Sequence, residues 1–378
     1  DNLRPNLRYI TSWPANGWSN QVIQYMNLIY LAQLTERVPI IPRFRPVHMG
    51  ANASHLDFSD VFDLPRLQQE LGMTSVLEWR QIKDLNSETV DELGCWDIQD
   101  KTWEADRLYL EPPVDLKLDI SYSRAPEWVR ASDGGASPKT LLWPLASLVY
   151  LTEHTNGLER LPAELSPLHR VELSPDEHLF CCNSMYFGVE MLGEVRDISP
   201  AWHAVGRHMR WTAKVEEIAM RYVRQTLGVT PRESIPPFFA VHIRRGDFVI
   251  WCNIAGVTAQ ECFAPLSAFA RRVDEMRAAL FEGRGVSVER VIVTSDEEDP
   301  DWWAAVSSLG WLRPDHSQTV ELYGPWYPMF IDAVIQSTAA GFVGTDTSTV
   351  SILSRRRVAE MGGLSEMVRW GWRGADDH

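Results

Sequence analysis

Apolar positions along this chain follow two alternating patterns. Short β-rich runs stand between longer stretches whose apolar residues recur at steps of three and four. Tyr9-Ile10-Thr11 is the first run. The loop Pro14-Ala15-Asn16-Gly17-Trp18-Ser19-Asn20 follows, then a helical stretch from Gln21 to Glu36 with Ile23, Met26 and Ile29 along one side. Val38 to Ile41 is the second β run, closed by Pro42. This order predicts a parallel α/β unit. Asp63-Leu64-Pro65 has the cap chemistry of a helix start, and Gly72 of its stop. Pro112-Pro113 and Asp133-Gly134-Gly135 mark loops.

The second half repeats the alternation. Residues 209–227 predict a helix striped by Val215, Ile218, Tyr222 and Val223 and stopped by Gly228. Pro231 and Pro236-Pro237 read as a linker. Phe238 to Ile243 is a buried strand, residues 265–281 a helix, and Val291 to Thr294 the next strand. Asp299-Pro300 opens a helix, Asp332 to Ala339 is helical, Phe342-Val343 is a strand, and a last helix starts at Ser348. The fold class is therefore α/β: two Rossmann-like domains facing a central cleft. The boundaries fall at 1–228, 229–360 and a C-terminal tail or helix at 361–378.

Composition narrows the function. With 378 residues the chain is too long for one ordinary domain, and 45% apolar with 23% charged residues is a globular profile. A net charge of −15 argues against nucleic acid and against anionic lipid as partners. No apolar run approaches the roughly 20 residues of a membrane span. The 16 Trp suit sugar rings or bases as well as large cores. The chain begins at Asp1 with no signal-like start, so a targeting segment has been removed or the chain is a cut luminal segment. Of five Cys, Cys252 and Cys262 are spaced for a bridge, and at most one of Cys181 and Cys182 serves a long-range one. The sequon Asn52-Ala53-Ser54 adds to a lumenal reading, in the endoplasmic reticulum or Golgi.

Three constellations carry chemistry. His242-Ile243-Arg244-Arg245-Gly246-Asp247-Phe248 ends a buried strand, the edge where ligands bind in open α/β sheets. Paired arginines beside a glycine suit a diphosphate; the alternative is a salt-bridged loop neutralised by Asp247. Gly344-Thr345-Asp346-Thr347-Ser348-Thr349 leads into a helix at Val350, whose free N–H groups suit phosphate; the alternative is plain capping. Gly17, Trp18 and Asn20 form the third, in the first strand-to-helix loop, where ordinary turn and cap roles compete. Asp296 and Asp332 offer carboxylates for guanine or ribose, against surface pairing. The ten His form no HxxxH or HExxH pattern and no GxGxxG is present, so neither a metal nor a dinucleotide cofactor is expected.

In order, these motifs resemble the GDP-fucose-dependent fucosyltransferases that share a His-x-Arg motif, the protein O-fucosyltransferases and their relatives. Asn16-Gly17-Trp18-Ser19-Asn20-Gln21 with Val38 to Pro42, then Phe58-Ser59-Asp60-Val61-Phe62-Asp63, His242-x-Arg244-x-Gly246-Asp247-Phe248, and Asp332 with Phe342-Val343-Gly344 and Ser348-Thr349-Val350 carry it. The resemblance implies a GT-B-like fold and metal-independent, inverting transfer from GDP-β-L-fucose to a protein or glycan hydroxyl, with GDP-fucose as substrate and no cofactor. It assigns Arg244 to the β-phosphate and leaving group, and His242 to the nucleotide. Asn20, with Gly17 and Trp18, goes to the sugar–phosphate region. Ser348, Thr349 and Val350 go to the phosphates, and Asp332 and Asp296 to guanosine; Arg245 and Thr347, from the same two motifs, are read as donor-binding beside them. Val350 stands where many relatives have Phe. No Glu occupies the first loop as a general base, leaving Asp247, another carboxylate or the leaving phosphate. A non-catalytic GDP-sugar or glycan binder and a secreted carbohydrate hydrolase are the competing readings.

Overall fold

A computed structural model describes residues 3–12, 16–50, 53–91, 95–96, 116–118, 145–146, 164–165, 170–173, 178–182 and 199–376. Sequon residue Asn52, Pro14-Ala15 of the first loop and most of 95–140 fall outside them. The chain divides into two compact units: Asp1–Gly50 with Ser54–Thr212, and Ala51–Ala53 with Ala213–His378. Among the described residues, no helix is long and apolar enough to cross a membrane.

Unit 1 holds β1 (Tyr9–Ser12), β2 (Val38–Ile41), β3 (Leu77–Glu78), β4 (Cys95–Trp96) and β7 (Leu179–Cys182) in one parallel sheet of order β3-β2-β1-β7-β4. A separate antiparallel pair joins β5 (Glu164–Leu165) to β6 (Glu172–Leu173). The helix Trp18–Leu34 links β1 to β2 and is buried nearly all round, which is why its apolar stripe is weak in sequence. Gln21 fastens its start: Nε2 donates to the Asn16 and Arg45 carbonyls at 2.9 Å each, and Oε1 accepts from Arg45 N–H at 2.8 Å. An aromatic core of Trp18, Phe44, Phe58, Phe62 and Trp211 packs beside it. Cys181 is disulfide-bonded, whereas Cys182 keeps a buried thiol that donates toward the Thr11 carbonyl and whose pKa burial pushes up to about 12. One of the adjacent pair bridges, within the limit of one that their adjacency set.

Unit 2 is a four-stranded parallel sheet of β8 (Phe238–Ile243), β9 (Arg290–Ser295), β10 (Gly341–Thr345) and β11 (Leu364–Val368), in the order β11-β10-β8-β9. Phe239, Val241 and Ile243 face the helix Leu266–Arg284, packing with Phe269, Val273, Met276 and Leu280. The chain leaves β8 toward β9, then crosses back to place β10 on the other side of β8. The strand order thus reverses between β8 and β10, the switch point where α/β sheets bind ligands.

Two expectations are corrected. The helix Ala213–Leu227 packs against the helix Tyr327–Thr338 and belongs to unit 2. Its stripe of Val215, Ile218, Tyr222 and Val223 is buried there, so Pro231 to Pro237 is a connection inside unit 2, not a linker. The tail at 361–378 is not a helix: it supplies β11, paired in parallel from Gly341↔Leu364 to Thr345↔Val368. Only Val368 of that strand is buried, too little for a visible β pattern.

Candidate active site

The site grows from the ends of β8 and β10. Their register sets His242 opposite Gly344. Thr345 ties the strands together, its hydroxyl donating to the His242 carbonyl at 3.1 Å and accepting from Arg244 N–H at 2.9 Å. Ser351, on the helix Thr349–Glu360, accepts from Thr345 N–H at 3.1 Å and bonds His242 Nδ1 at 2.7 Å. Two motifs read separately in sequence are therefore one hydrogen-bonded unit. Burial, reinforced by the Arg244 charge, pushes the His242 pKa down to about 3, so its imidazole is neutral at physiological pH.

Arg244 is half-buried and gripped by two carboxylates, Asp247 at 2.6 Å and Asp296 at 3.0 Å. Its guanidinium also lies 5.6 Å from the Phe248 ring centroid. Asp296 uses its other oxygen to accept from Arg245 N–H at 2.8 Å. Gly246 leaves room for this arrangement, because a Cβ there would run into the Asp296 carboxylate. The result is a planar cation aimed by fixed partners at the C-terminal edge of the sheet.

The second strand-to-helix turn adds backbone donors. Ser348 is buried at the N-cap of Thr349–Glu360 and its side chain makes no cap bond. Thr349 and Val350 open that helix half-exposed, at its positive end. Thr347 stands at φ 64°, a left-handed conformation unusual for a β-branched residue.

Several assigned residues do other work. Arg245 points away from Arg244: Nε pairs with Glu297 at 2.5 Å, and its guanidinium lies 4.7 Å from Phe263 and 5.6 Å from Trp302. Its Nε and ring contacts brace the loop. Burial pushes the Glu297 carboxyl up, but bonds from Arg245 and from the Asp299 and Glu298 N–H groups hold it below its ordinary value. Asp296 uses one oxygen on the Arg244 guanidinium and the other on Arg245 N–H, so it is a part of the arginine loop. Trp18 is 4% exposed and stacked on Phe62 and Trp211 in the core, so its ring is not a donor platform. Asp332 lies one turn before Gln336, whose Nε2 donates to Thr294 Oγ1 at 2.8 Å near the end of β9. Asp332 Oδ1 pairs with His316 Nε2 at 2.9 Å.

In unit 1, Gly17 N-caps the first helix with extended backbone and space for a Cβ, so no local sterics demand glycine there. Asn20 Oδ1 is shut from solvent without a hydrogen-bond partner. Such an acceptor costs about 1–3 kcal/mol and is satisfied by an incoming donor group. Sequence reasoning missed Thr345, Ser351 and Glu297 as working parts. Thr345 lay inside the hydroxyl-rich run read as a phosphate-binding or capping turn and Ser351 just beyond it, so neither was tied to His242, and Glu297 drew no reading of its own beside Asp296. Among the described residues, no group of three or more His, Cys, Asp or Glu is arranged to hold a metal.

Comparison with known proteins agrees with this architecture. Residues 9–359 match the family model O-FucT, GDP-fucose protein O-fucosyltransferase. Among solved structures, POFUT1 in complex with GDP-fucose is similar with a TM-score of 0.59 at 14% identity, covering 97% of this chain and 99% of that one. The POFUT1 apo-form gives 0.58 at 14% identity, covering 96% and 98%. Fucosyltransferase NodZ from Bradyrhizobium gives 0.47 at 12% identity, covering 93% of each. No curated protein matches the chain by sequence. The likeness to POFUT1 shows a shared α/β, GT-B-like fold.

Proposed function

The chain belongs to the GDP-fucose protein O-fucosyltransferase family, and we propose that it transfers fucose from GDP-β-L-fucose to a protein or glycan hydroxyl, with inversion and without a metal. The observation that carries the reading is Arg244, held by Asp247 and Asp296 at the β8–β10 switch point beside the N-terminus of Thr349–Glu360. As the C1–O bond to the diphosphate breaks, negative charge grows on the β-phosphate. A preset guanidinium and oriented N–H groups stabilise that charge with little reorganisation. The acceptor oxygen attacks C1 from the opposite face, so the anomeric configuration inverts. Neutral His242 borders the nucleotide, Ser348 to Val350 line the phosphates, and Asp332 turns its second oxygen to guanosine. Asn20, in unit 1, is carried as a contact to the sugar–phosphate on the family resemblance alone. The acceptor proton goes to Asp247 or to the departing phosphate. Disulfide-bonded Cys252–Cys262 and Cys181 support an oxidising secretory lumen as the place of action.

Calorimetric titration with GDP in EDTA tests the reading. Binding is expected in the micromolar range, weakened by roughly 2–3 kcal/mol in Arg244→Ala. Release of GDP from GDP-fucose on transfer to an acceptor then separates an enzyme from a binder. A parent protein that ignores GDP overturns the assignment.

A further inference from the structure

Residues 369–376 lie beyond the span matched to the family and double back over unit 2. Their far end is fixed by Asp376, whose carboxylate is nearly fully buried. It accepts from Arg271 Nη2 at 2.9 Å, Arg272 Nε and Nη2 at 3.2 Å each, and Arg369 N–H at 3.1 Å. Burial pushes that carboxyl up, but these donors outweigh it and hold it below its ordinary value. Midway, Gly371 N–H donates to the Cys262 carbonyl at 2.7 Å. A segment pinned this firmly at an edge strand is a strap, not a loose end.

Trp370, near the start of the strap, touches both halves of the candidate site. Its indole stacks on Phe248 at 4.7 Å and 27°, and Phe248 lies beneath the Arg244 guanidinium. It also stacks on Phe263 at 6.2 Å, and Phe263 lies beneath Arg245. Its N–H donates to the Asp346 carbonyl at 2.8 Å and approaches Thr347 Oγ1 at 3.3 Å. That bond falls on the turn where Thr347 adopts its left-handed backbone. A β-branched residue persists there only when its surroundings over-determine it. Asp346 N–H to the Val368 carbonyl, at 2.9 Å, is the second tie on the same turn.

We propose that Trp370 is a positioning residue of the donor site, fastening the Arg244 loop to the 346–348 turn so that both phosphate-facing elements are set by one side chain. The proposal rests on the GDP-binding reading above and deepens it. It also accounts for the strap, since the stacked rings carry Arg244 and the indole N–H carries the turn that places Ser348.

Two variants separate the parts. Trp370→Phe keeps the stack and loses the N–H; Trp370→Leu loses both. Each is titrated with GDP and with guanosine, and GDP-fucose KM and kcat are measured alongside thermal unfolding. A positioning role predicts GDP affinity lowered about threefold in Trp370→Phe and about tenfold in Trp370→Leu. Guanosine affinity stays within about twofold, because the loops act on the diphosphate. GDP-fucose KM rises with the GDP loss, while the unfolding temperature of Trp370→Phe stays near that of the parent. Variants that bind GDP as the parent does overturn the proposal, as does equal loss of GDP and guanosine, which marks a merely structural residue. If Trp370→Leu does not fold, Trp370→Phe alone decides by the same ratio. A parent that binds no GDP removes the underlying reading and this proposal together, an outcome distinct from a parent that binds while the variants remain unchanged.

Discussion

Gly246 shows how one missing methyl group supports a charge. Adding a Cβ would displace the Asp296 carboxylate, which holds both the Arg244 side chain and the Arg245 N–H. Gly246→Ala is therefore expected to lower kcat/KM by roughly 10²-fold, in line with loss of one preset electrostatic contact, while the unfolding midpoint moves little. Steady-state kinetics beside denaturant melts read both. Asp247 is separable: Asp247→Asn removes an anion that competes for Arg244, so GDP affinity rises while transfer slows if this carboxylate takes the acceptor proton. Calorimetry and the pH profile of transfer check the two halves. His242 gives a stability signature. Its folded pKa of about 3 lies below the ordinary 6.5, so the unfolded chain binds the extra proton between those values. Its contribution is complete above pH 6.5 and is lost as pH falls toward 3. His242→Gln is expected to flatten that acid limb in urea melts. At this scale the place of His242, Arg244 and Gly246 at a strand end was legible, because the buried run Phe238–Ile243 is continuous in sequence. Trp18 and Arg245 were not, because burial and pairing depend on Phe62, Trp211 and Glu297, remote in sequence.

Among the elements, those with a full apolar period were readable. Phe238–Ile243 and Leu266–Arg284 bury continuous runs or stripes, and the structure places them near the bounds the pattern predicts. Val249–Ala255 and β11 were missed. The former is one short helix that buries only Cys252, and the latter buries only Val368, so neither carries enough periodicity to stand out. Val249–Ala255 owes its shape partly to covalent chemistry: Cys252 and Cys262 are bridged, as their spacing allowed, and Gly256 ends the helix at φ 70°. In the chain-entropy description, a loop of this size is worth about 3 kcal/mol. The double replacement Cys252→Ala with Cys262→Ala should lower the unfolding free energy of unit 2 by about that amount. A melt that matches the parent would show that Gly371 and the strap already hold the loop.

For the whole molecule, the sequence conveyed two α/β domains but misplaced the seam, because a helix stripe shows that a face is buried and not against which partner. Ala213–Leu227 displays its stripe equally well for either unit; only packing on Tyr327–Thr338 assigns it. The division bears on where ligand binding is felt. His242, Arg244 and Ser348 to Val350 all lie in unit 2, whereas Asn20 lies in unit 1. A ligand that binds only folded protein stabilises it by about 2.7 kcal/mol at a hundredfold excess over Kd. That stabilisation appears as slowed amide exchange wherever opening breaks the site. GDP is accordingly expected to slow exchange across 238–248 and 344–352 and to leave the helix Leu64–Leu71 at its free rate. Residues 16–24 discriminate further. If the unpartnered Asn20 oxygen accepts from the donor, GDP-fucose slows exchange at the start of Trp18–Leu34 as well, and Asn20→Ala abolishes that protection without altering the pattern in unit 2. Protection confined to unit 2 with both ligands would restrict donor recognition to the β8–β10 edge and return Asn20 to a local role in unit 1.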